Sequence, residues 1–339
     1  MIDTLLRIRL FVAAYEERSF TAAAVREHLT QSGMTQHMQR LEQHLGVKLF
    51  VRQGGNTMGP TPAADAYYAA CVPVLRAHSQ TRLAVQPFTR GLSGEVRIGL
   101  TPTLTRKMLA PTLSAFVVQH PNVVVRIVDS YSDLVINKLR AGEIDLAVVP
   151  GNRPEGGLRR RPFARMPEFL VSGARAGHPV VNGRPVSLAA LGPIKLIVPS
   201  RAQARRAGLD AYLAQAGAII DRLLEMDTAL GATDFVQHSD WFAIHPAAVA
   251  ISELQAGDFI VNPLVDPPLS LELFVLERNS EVPPPEAIAF VDELRRQTLA
   301  ALDSIDALLN GIGESGEGQA PRQVTGGQSR SATTGDPET

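Results

Sequence analysis

The sequence of 339 residues has one cysteine, few aromatic residues and almost no net charge. The single cysteine, Cys71, permits no disulfide within the chain and no zinc site built on cysteines, and it fits a reducing compartment. A net charge of −1 excludes a chain that is a polycation throughout. The remaining composition is that of an ordinary globular protein.

Long apolar segments are also missing. No run of about 18–20 apolar residues occurs, so the sequence predicts no transmembrane helix. Asp3, Arg7 and Arg9 interrupt the beginning of the chain, and no secretory signal peptide is expected there. We therefore expect a cytoplasmic protein that has no membrane partner.

The charge that is present is distributed unevenly along the chain. Residues 1–90 carry ten Lys and Arg residues against six Asp and Glu residues, and the remainder is mildly acidic. Such an asymmetry is typical of a protein that binds a polyanion with one end only.

Three short helices are predicted near the N-terminus. The first covers residues 3–17, the second begins at the N-cap Thr21 and ends near Glu27, and the third begins at the N-cap Thr30 and ends near His44. So short a break between the second and third helices is typical of a helix-turn-helix. The third helix has an apolar stripe at helical spacing, formed by Met34, Met38, Leu41 and Leu45.

If this stripe faces the core, the opposite face of the third helix is rich in amide and hydroxyl groups. Gln can bridge the N6 and N7 atoms of adenine in the major groove, and Ser or Thr can bond to most base edges or to a phosphate. We therefore predict that this face binds DNA, with a solvated polar face as the alternative. The predicted contact residues are Thr30, Gln31, Ser32, Thr35, Gln36, Gln39 and Arg40.

The segment after Gly46 predicts a small hairpin, or wing. It reads VKLFVRQGGNTMGPT and combines a β-like run with a Gly-Gly-Asn turn. Arg52 in this wing is expected to bind the DNA backbone or the minor groove.

A long helix is predicted after the wing. Thr61 and Pro62 have the residue types of an N-cap and a first helical position, and the helix is expected to end near Val85. Pro73 is expected to kink it. The helix is rich in Ala, Tyr, Val and Leu and poor in charge, so we expect it to pair with a second copy of the chain.

Beyond a boundary near Gly91, apolar strands alternate with helices. This alternation predicts an α/β fold with parallel sheets and helices on both faces. The segment from Gly311 to the end has few large apolar residues and is expected to be a disordered tail. The predicted strands are 96–100, 123–128, 145–149, 168–171, 195–198 and 241–244, and the predicted helices are 107–120, 133–141, 204–216, 228–237 and 285–310.

Hydroxyl groups and an arginine follow two of the predicted strands. Thr101 and Thr103 stand between a strand end and a helix start, and Ser200 and Arg201 occupy the same kind of position later in the chain. Arg205 and Arg206 follow, and any one of these arginines could bind a carboxylate. Ligands of α/β sheets bind at such carboxyl ends, where hydroxyls, helix starts and arginines favour a carboxylate. Helix capping and a solvent-facing arginine are the alternatives. Pro150 follows another strand and is expected to line the same cleft.

Enzyme motifs are weak or missing in this sequence. Residues 311–316 spell GxGxxG, but no strand is predicted before them and no βαβ unit after them. Neither a P-loop nor an HExxH motif occurs, and we predict no catalytic residue, no metal and no cofactor. The alternative to a DNA-binding regulator is a cytosolic small-molecule-binding protein, or an enzyme, on the same α/β scaffold.

The sequence resembles the LysR-type transcriptional regulators. The resemblance is carried by LFVAAYEERSFTAAA, TQSGMTQHMQRLEQHLGVKLFVR and TPAADAYY, and more loosely by the segment that begins VRIGLTPTLTRKMLAPTL. It covers about residues 5–305 and implies a multidomain α/β protein. The implied parts are a winged helix-turn-helix, a dimerising linker helix, and two subdomains of periplasmic-binding-protein type with a ligand cleft between them. The segment with His238 and Ser239 is implied to approach this cleft.

The resemblance also implies domain limits and partners. Expected partners are promoter DNA, a small-molecule effector, and further copies of the chain in a homodimer or homotetramer, with RNA polymerase as a candidate. The hydroxyls and arginines described above favour a small organic acid as the effector. The expected domains are 1–60 for DNA binding, 61–90 for the linker helix, 91–310 for the effector and 311–339 for the tail, and the expected subdomains are 92–162 with 268–305, and 163–267.

Overall fold

A computed structural model describes residues 3–52, 58–85, 91–151, 155–201, 203–250 and 257–315. The predicted tip of the wing and most of the predicted tail lie outside these ranges. No helix within them is long and apolar enough to cross a membrane.

The N-terminal domain contains three helices and a two-stranded wing. The helices are α1 (Asp3–Glu17), α2 (Phe20–Arg26) and α3 (Gln31–Leu45), and the antiparallel strands are β1 (Phe50–Arg52) and β2 (Met58–Pro60). The predicted helix-turn-helix and wing are therefore confirmed.

The helix caps of this domain agree with the sequence in one case and differ in another. Thr30 accepts a hydrogen bond from the Gly33 amide at 3.1 Å, as predicted for an N-cap. The second helix begins earlier than predicted, because Ser19 rather than Thr21 is in the extended conformation and accepts a bond from the Ala22 amide. Thr21 therefore lies inside α2.

The inner face of α3 also differs at one position from the predicted stripe. Met34, Met38 and Leu41 are buried as predicted, but Leu45 is 37% exposed. Glu42 is buried in its place, only 9% exposed, because its carboxylate binds the chain that enters the wing. The prediction of Leu45 as a core residue was wrong.

The linker helix α4 (Pro62–Val85) continues through Pro73 without a break. Its Cys71 is buried in the core of the N-terminal domain, which agrees with a packing role for this cysteine. Six small or apolar residues lie exposed at helical spacing on one face of α4: Ala66, Ala69, Ala70, Pro73, Val74 and Ala77.

In the part of residues 94–278 that the structure describes, nine strands form one continuous sheet in the order β4-β3-β5-β11-β6-β9-β7-β8, with β10 paired to β6. The sheet is mixed: β3 is parallel to β4 and β5, and β7 is parallel to β8 and β9, but β6 and β11 run antiparallel to their neighbours. The strands are β3 (Gly94–Leu100), β4 (Val123–Asp129), β5 (Leu146–Pro150), β6 (Leu158–Gly173), β7 (Pro193–Val198), β8 (Ile219–Glu225), β9 (Phe242–Pro246), β10 (Phe259–Pro263) and β11 (Ser270–Arg278).

The long strand β6 divides this sheet into two halves. Its residues 158–167 pair with β11, and its residues 168–173 pair with β9 and β10. We call the side with β3, β4, β5 and β11 the first half, and the side with β7, β8, β9 and β10 the second half. The predicted parallel pairing is found within each half, but three strands, β6, β10 and β11, join these parallel units in antiparallel fashion.

Residues 247–250 are helical, and six further α-helices whose bounds the structure describes accompany the sheet. The last one continues to Ser315, so the first residues of the predicted tail are helical. The helices are α5 (Pro102–Thr105), α6 (Leu109–Gln119), α7 (Ser132–Arg140), α8 (Ala204–Gln215), α9 (Ala229–Gln237) and α10 (Pro285–Ser315).

Candidate DNA-binding surface and effector cleft

Helix α3 exposes the polar face that the sequence predicts. Burial of Met34, Met38 and Leu41 on one side leaves the opposite side free. The exposed residues of the predicted set are Thr30, Gln31, Ser32, Gln36, Gln39 and Arg40, and Thr35 is half-buried.

The hydroxyl groups at the start of α3 are already oriented by local hydrogen bonds. Thr30 accepts from the Gly33 amide, and the Thr30 and Ser32 hydroxyls lie 3.2 Å apart. The Thr35 hydroxyl donates to the Gln31 carbonyl at 2.9 Å. Each hydroxyl keeps acceptor capacity, so this end of α3 can accept hydrogen bonds from base amino groups.

Glu42 holds the wing against α3. One carboxylate oxygen accepts hydrogen bonds from the backbone amides of Leu49 and Phe50, at 2.9 and 3.2 Å, and the other accepts from the Lys48 ammonium at 2.6 Å. The backbone of Arg52 pairs with Met58 in the wing, but its side chain lies outside the described residues. Sequence reasoning missed Glu42. The signal that could have found it is a carboxylate that follows Met34, Met38 and Leu41 on the buried side of the same helix.

A cleft of about 540 Å³ opens between the two halves of the sheet. Its walls are the carboxyl ends of the parallel strands and the segments that follow them, which is where ligands of α/β sheets bind. Of the predicted ligand residues, Thr101, Thr103 and Pro150 line it.

Thr101 presents an unsatisfied hydroxyl group to the cleft. The residue is 4% exposed, and its Oγ1 is buried and has no hydrogen-bond partner. Thr101 is the N-cap residue of α5, but its side chain makes no capping bond. A buried hydroxyl without a partner is unfavourable by about 1–3 kcal/mol, and a ligand atom that binds it would remove this deficit.

The floor of the cleft carries two arginines, one of them paired with a buried carboxylate. Arg106, from the first half, reaches across so that its Nη1 lies 3.5 Å from the Thr233 hydroxyl of the second half. Arg205 binds the buried carboxylate of Glu168 and donates to the Ile244 carbonyl at 3.0 Å.

His245 is the second-last residue of strand β9, and the charges of both arginines act on it. It is 7% exposed, and its Nε2 lies 3.5 Å from the Thr233 hydroxyl. Burial, and then the charges of Arg205 and Arg106, lower the pKa of His245 to about 3. The imidazole is therefore neutral at physiological pH and can offer one donor and one acceptor to a ligand.

The mouth of the cleft carries carboxylates, and a hydrogen bond across it joins the two halves of the sheet. The Tyr131 hydroxyl, from the first half, donates to the backbone carbonyl of Asp227 in the second half. Asp129 accepts from the Thr105 hydroxyl at 2.7 Å. Burial, then the charges of Asp227 and Asp129, raise the pKa of Tyr131, so both carboxylates act on one hydroxyl. The two halves thus meet at Tyr131 above the cleft and at Arg106 below it.

The remaining predicted ligand residues do not line the cleft. Ser200 contributes its backbone amide to Asp227 at 2.9 Å, Arg201 and His238 are exposed, and Ser239 is half-buried. Of the charged and aromatic residues that do line it, sequence reasoning named Arg205 and missed the others, including Asp133. Their shared signal is position, since each lies at or soon after a strand end or helix start: Arg106, Asp129, Tyr131, Arg205, Asp227 and His245.

A second cavity, of about 620 Å³, lies between the N-terminal domain and the first half of the sheet. Arg76 of α4 crosses this boundary and donates to the carbonyls of Asn279 and Glu281, at 3.1 and 3.2 Å. Its other terminal nitrogen lies 3.7 Å from the Glu277 carboxylate. Among the described residues, no group of three or more His, Cys, Asp or Glu side chains could hold a metal ion.

Family models match both parts of the chain. The model of the "LysR substrate binding domain" matches residues 89–299, and that of the "Bacterial regulatory helix-turn-helix protein, lysR family" matches residues 5–65. These matches confirm the resemblance on which the domain expectations were based.

Related proteins and solved structures agree with the family models. The nitrogen assimilation regulatory protein nac of Escherichia coli (strain K12) is 26% identical over 268 residues, which cover 79% of this chain and 86% of that protein. Full-length OxyR of Pseudomonas aeruginosa has a TM-score of 0.59 at 21% identity, covering 86% of this chain and 94% of that one. Full-length CbnR in complex with its target DNA has a TM-score of 0.50 at 23% identity, covering 86% and 99%. The chain therefore belongs to the LysR family of DNA-binding transcriptional regulators and carries that family's effector-binding domain.

Proposed function

We propose that this regulator reads promoter DNA with the exposed face of α3 and changes its affinity for DNA when a small organic acid enters the cleft. The observation that carries the effector part is the Thr101 hydroxyl, buried without a partner in a cleft whose floor holds two arginines. Hydroxyl and guanidinium groups together suit a carboxylate. The protein acts in the cytoplasm, and we propose no catalysis.

The proposed DNA contacts are supported by exposure and by chemistry. Gln36 and Gln39 lie exposed on α3, and an amide can bond in bidentate fashion to adenine. In a gel-shift titration with the chain's own promoter, Gln36→Ala and Thr35→Ala should each weaken binding by about 1–3 kcal/mol, the cost of a lost base contact. Gln119→Ala, exposed on α6, is the matched control and should bind as the wild type does.

The wing arginine is proposed to contact phosphates rather than bases. Arg52→Ala should weaken binding to all sequences alike and should reduce the slope of log K against log salt by about one unit. If neither Gln36→Ala nor Arg52→Ala changes the titration, α3 and the wing do not form the DNA-binding surface.

The assembly is proposed to form through α4. Its exposed face of Ala66, Ala69, Ala70, Pro73, Val74 and Ala77 has the spacing and small side chains that allow a second helix to approach closely. A dimer joined there would present two copies of α3 to a partly palindromic site. Sedimentation of the full chain at micromolar concentration tests this, and a monomer would contradict it. Contact with RNA polymerase remains part of the proposal for the DNA-bound assembly.

The effector site is tested by ligand-induced stabilisation of the full chain. A panel of small organic acids should include compounds that raise the melting temperature, because a ligand that binds only the folded state stabilises it. Thr101→Val should lose this shift, whereas Ser114→Ala, an exposed hydroxyl on α6, should keep it. An unchanged shift in Thr101→Val would move the acid site away from Thr101.

A further inference from the structure

The cleft separates opposite charges, and this arrangement restricts the effector further. The inference rests on the proposed function of the cleft. Positive groups lie on the floor, where Arg106 and Arg205 both act on the buried His245. Negative groups lie at the mouth, where Asp129 and Asp227 both act on the Tyr131 hydroxyl.

The floor offers hydrogen-bond donors to an anion. The Thr101 hydroxyl is buried, has no partner within the protein and makes no capping bond, so its hydrogen-bonding capacity is left for a ligand. Arg106 lies against the Thr233 hydroxyl at 3.5 Å, which is too long for a strong hydrogen bond. A carboxylate could bind the Thr101 hydroxyl and the Arg106 guanidinium together.

The mouth offers acceptors to a cation. Asp129 ends strand β4 of the first half, and Asp227 follows strand β8 of the second half, so the two carboxylates approach from opposite sides of the cleft. Burial acts to raise the pKa of Asp227, but hydrogen bonds from Ser200 and Gln203 lower it overall. Asp227 is therefore ionised at neutral pH.

The geometry points to a zwitterionic effector, a small carboxylic acid that also carries a protonated amine. The carboxylate binds Thr101 and Arg106 on the floor, and the ammonium lies between Asp129 and Asp227 at the mouth. A dicarboxylate would place its second charge against these two aspartates, where like charges repel. Ile197, Val198 and Met226 line the wall between the two ends, so the body of the effector is apolar.

The same amine would also act on the conformation. Tyr131 and Asp227 join the two halves above the cleft. An ammonium that binds Asp129 of the first half and Asp227 of the second half would stabilise the closed arrangement, which is the differential affinity that a regulator requires.

Matched compounds test this inference on the full chain. The panel consists of the common amino acids, their N-acetyl derivatives and the corresponding carboxylic acids without the amine, and calorimetry measures Kd. At least one amino acid should bind, and its N-acetyl and amine-free counterparts should bind about tenfold or more weakly, since each lacks one interaction between opposite charges.

Charge-neutral variants locate the amine site. Asp227→Asn keeps an acceptor for the Ser200 amide but loses the charge, and it should weaken binding of the amino acid about tenfold while leaving the amine-free acid unaffected. Asp221→Asn, an exposed carboxylate on β8, is the control and should bind as the wild type does.

The outcomes separate this inference from the proposed function. If amine-free acids bind as tightly as their amino acids, and Thr101→Val weakens both, the cleft remains the acid site but the zwitterion is excluded. Equal binding of the amino acid by wild type and Asp227→Asn excludes the amine site at the mouth. If no compound of either series binds, the zwitterion and the acid-binding cleft are both overturned.

Discussion

Replacement of Glu42 by alanine should detach the wing from α3. The buried carboxylate accepts hydrogen bonds from the amides of Leu49 and Phe50 and pairs with Lys48. In Glu42→Ala, the Leu49 amide would be buried without a partner. Each such amide costs about 1–3 kcal/mol, whereas the pair with the exposed Lys48 is worth at most about 1 kcal/mol.

The expected loss is therefore about 2–4 kcal/mol for Glu42→Ala. Glu42→Gln is the matched variant, because its amide oxygen can still accept from both backbone amides, and it should lose about 1 kcal/mol or less. Lys48→Ala removes the ion pair alone and should also change stability little. This order separates the effect of the two backbone hydrogen bonds from the effect of charge.

Urea unfolding of the full chain, followed by far-ultraviolet circular dichroism, measures these differences. With a slope of about 1–3 kcal/mol per molar urea, the midpoint of Glu42→Ala should fall by about 1–2 M. Hydrogen exchange at Leu49 and Phe50 should also accelerate in this variant. If Glu42→Ala unfolds within a few tenths of a molar of Glu42→Gln, the carboxylate does not hold the wing.

Two further predictions concern the effector-binding domain and its contact with α4. Because burial lowers the pKa of His245 to about 3, below its value of about 6.5 in an unfolded chain, the unfolded state binds the extra proton and stability falls as pH falls below about 6.5. Urea midpoints at pH 7.5 and 5.5 should show this loss of stability, with a limiting slope of about 1.4 kcal/mol per pH unit, in the wild type and not in His245→Gln. An equal loss of stability in both proteins would contradict the prediction. Arg76→Ala leaves the carbonyls of Asn279 and Glu281 without their donor, so residues 279–286 should exchange amide hydrogens faster, while the control Arg222→Ala, exposed on β8, should not change them. Unchanged exchange in Arg76→Ala would show that Arg76 does not fasten the two domains together.

Local patterns predicted much of the fold because they depend on neighbours in sequence. The stripe of Met34, Met38 and Leu41 fixes which side of α3 is buried, so the exposed polar face follows directly. The prediction failed at Leu45 because Glu42, three residues earlier, is buried instead and binds amides seven and eight positions after itself. No periodicity of apolar residues reports such a bond.

The cleft was predictable only in part, for a related reason. Strand ends locate Thr101 and Pro150, but the partners that decide each side chain's direction lie far away in the chain. Ser200 is held by Asp227, to which its backbone amide donates, and Arg205 of α8 is held by Glu168 of strand β6. Tyr131 meets the carbonyl of Asp227 across the cleft. These contacts depend on the antiparallel pairing of β6 and β11, which the sequence did not reveal.

The contacts between domains limit how an effector could act on DNA binding. Arg76 of α4 binds Asn279 and Glu281, which directly follow strand β11 of the first half. Arg278, the last residue of β11, donates to the carbonyls of Leu139 and Ile144 at 2.9 and 2.8 Å, and β11 also pairs with β5. These bonds fasten α4 and the first half to each other.

Closure of the cleft would therefore move the second half relative to a body that already includes α4. All of the interdomain hydrogen bonds and ion pairs reported above for the described residues are made with the first half. An effector that bridges Asp129 and Asp227 would then leave α4 and α3 of its own chain in place and shift the second half against them. The signal has to reach DNA through whatever the second half contacts, and in an oligomer joined through α4 that contact is another copy of the chain. We infer that the response to effector depends on assembly, and that a chain held as a monomer would bind its effector without changing its affinity for DNA.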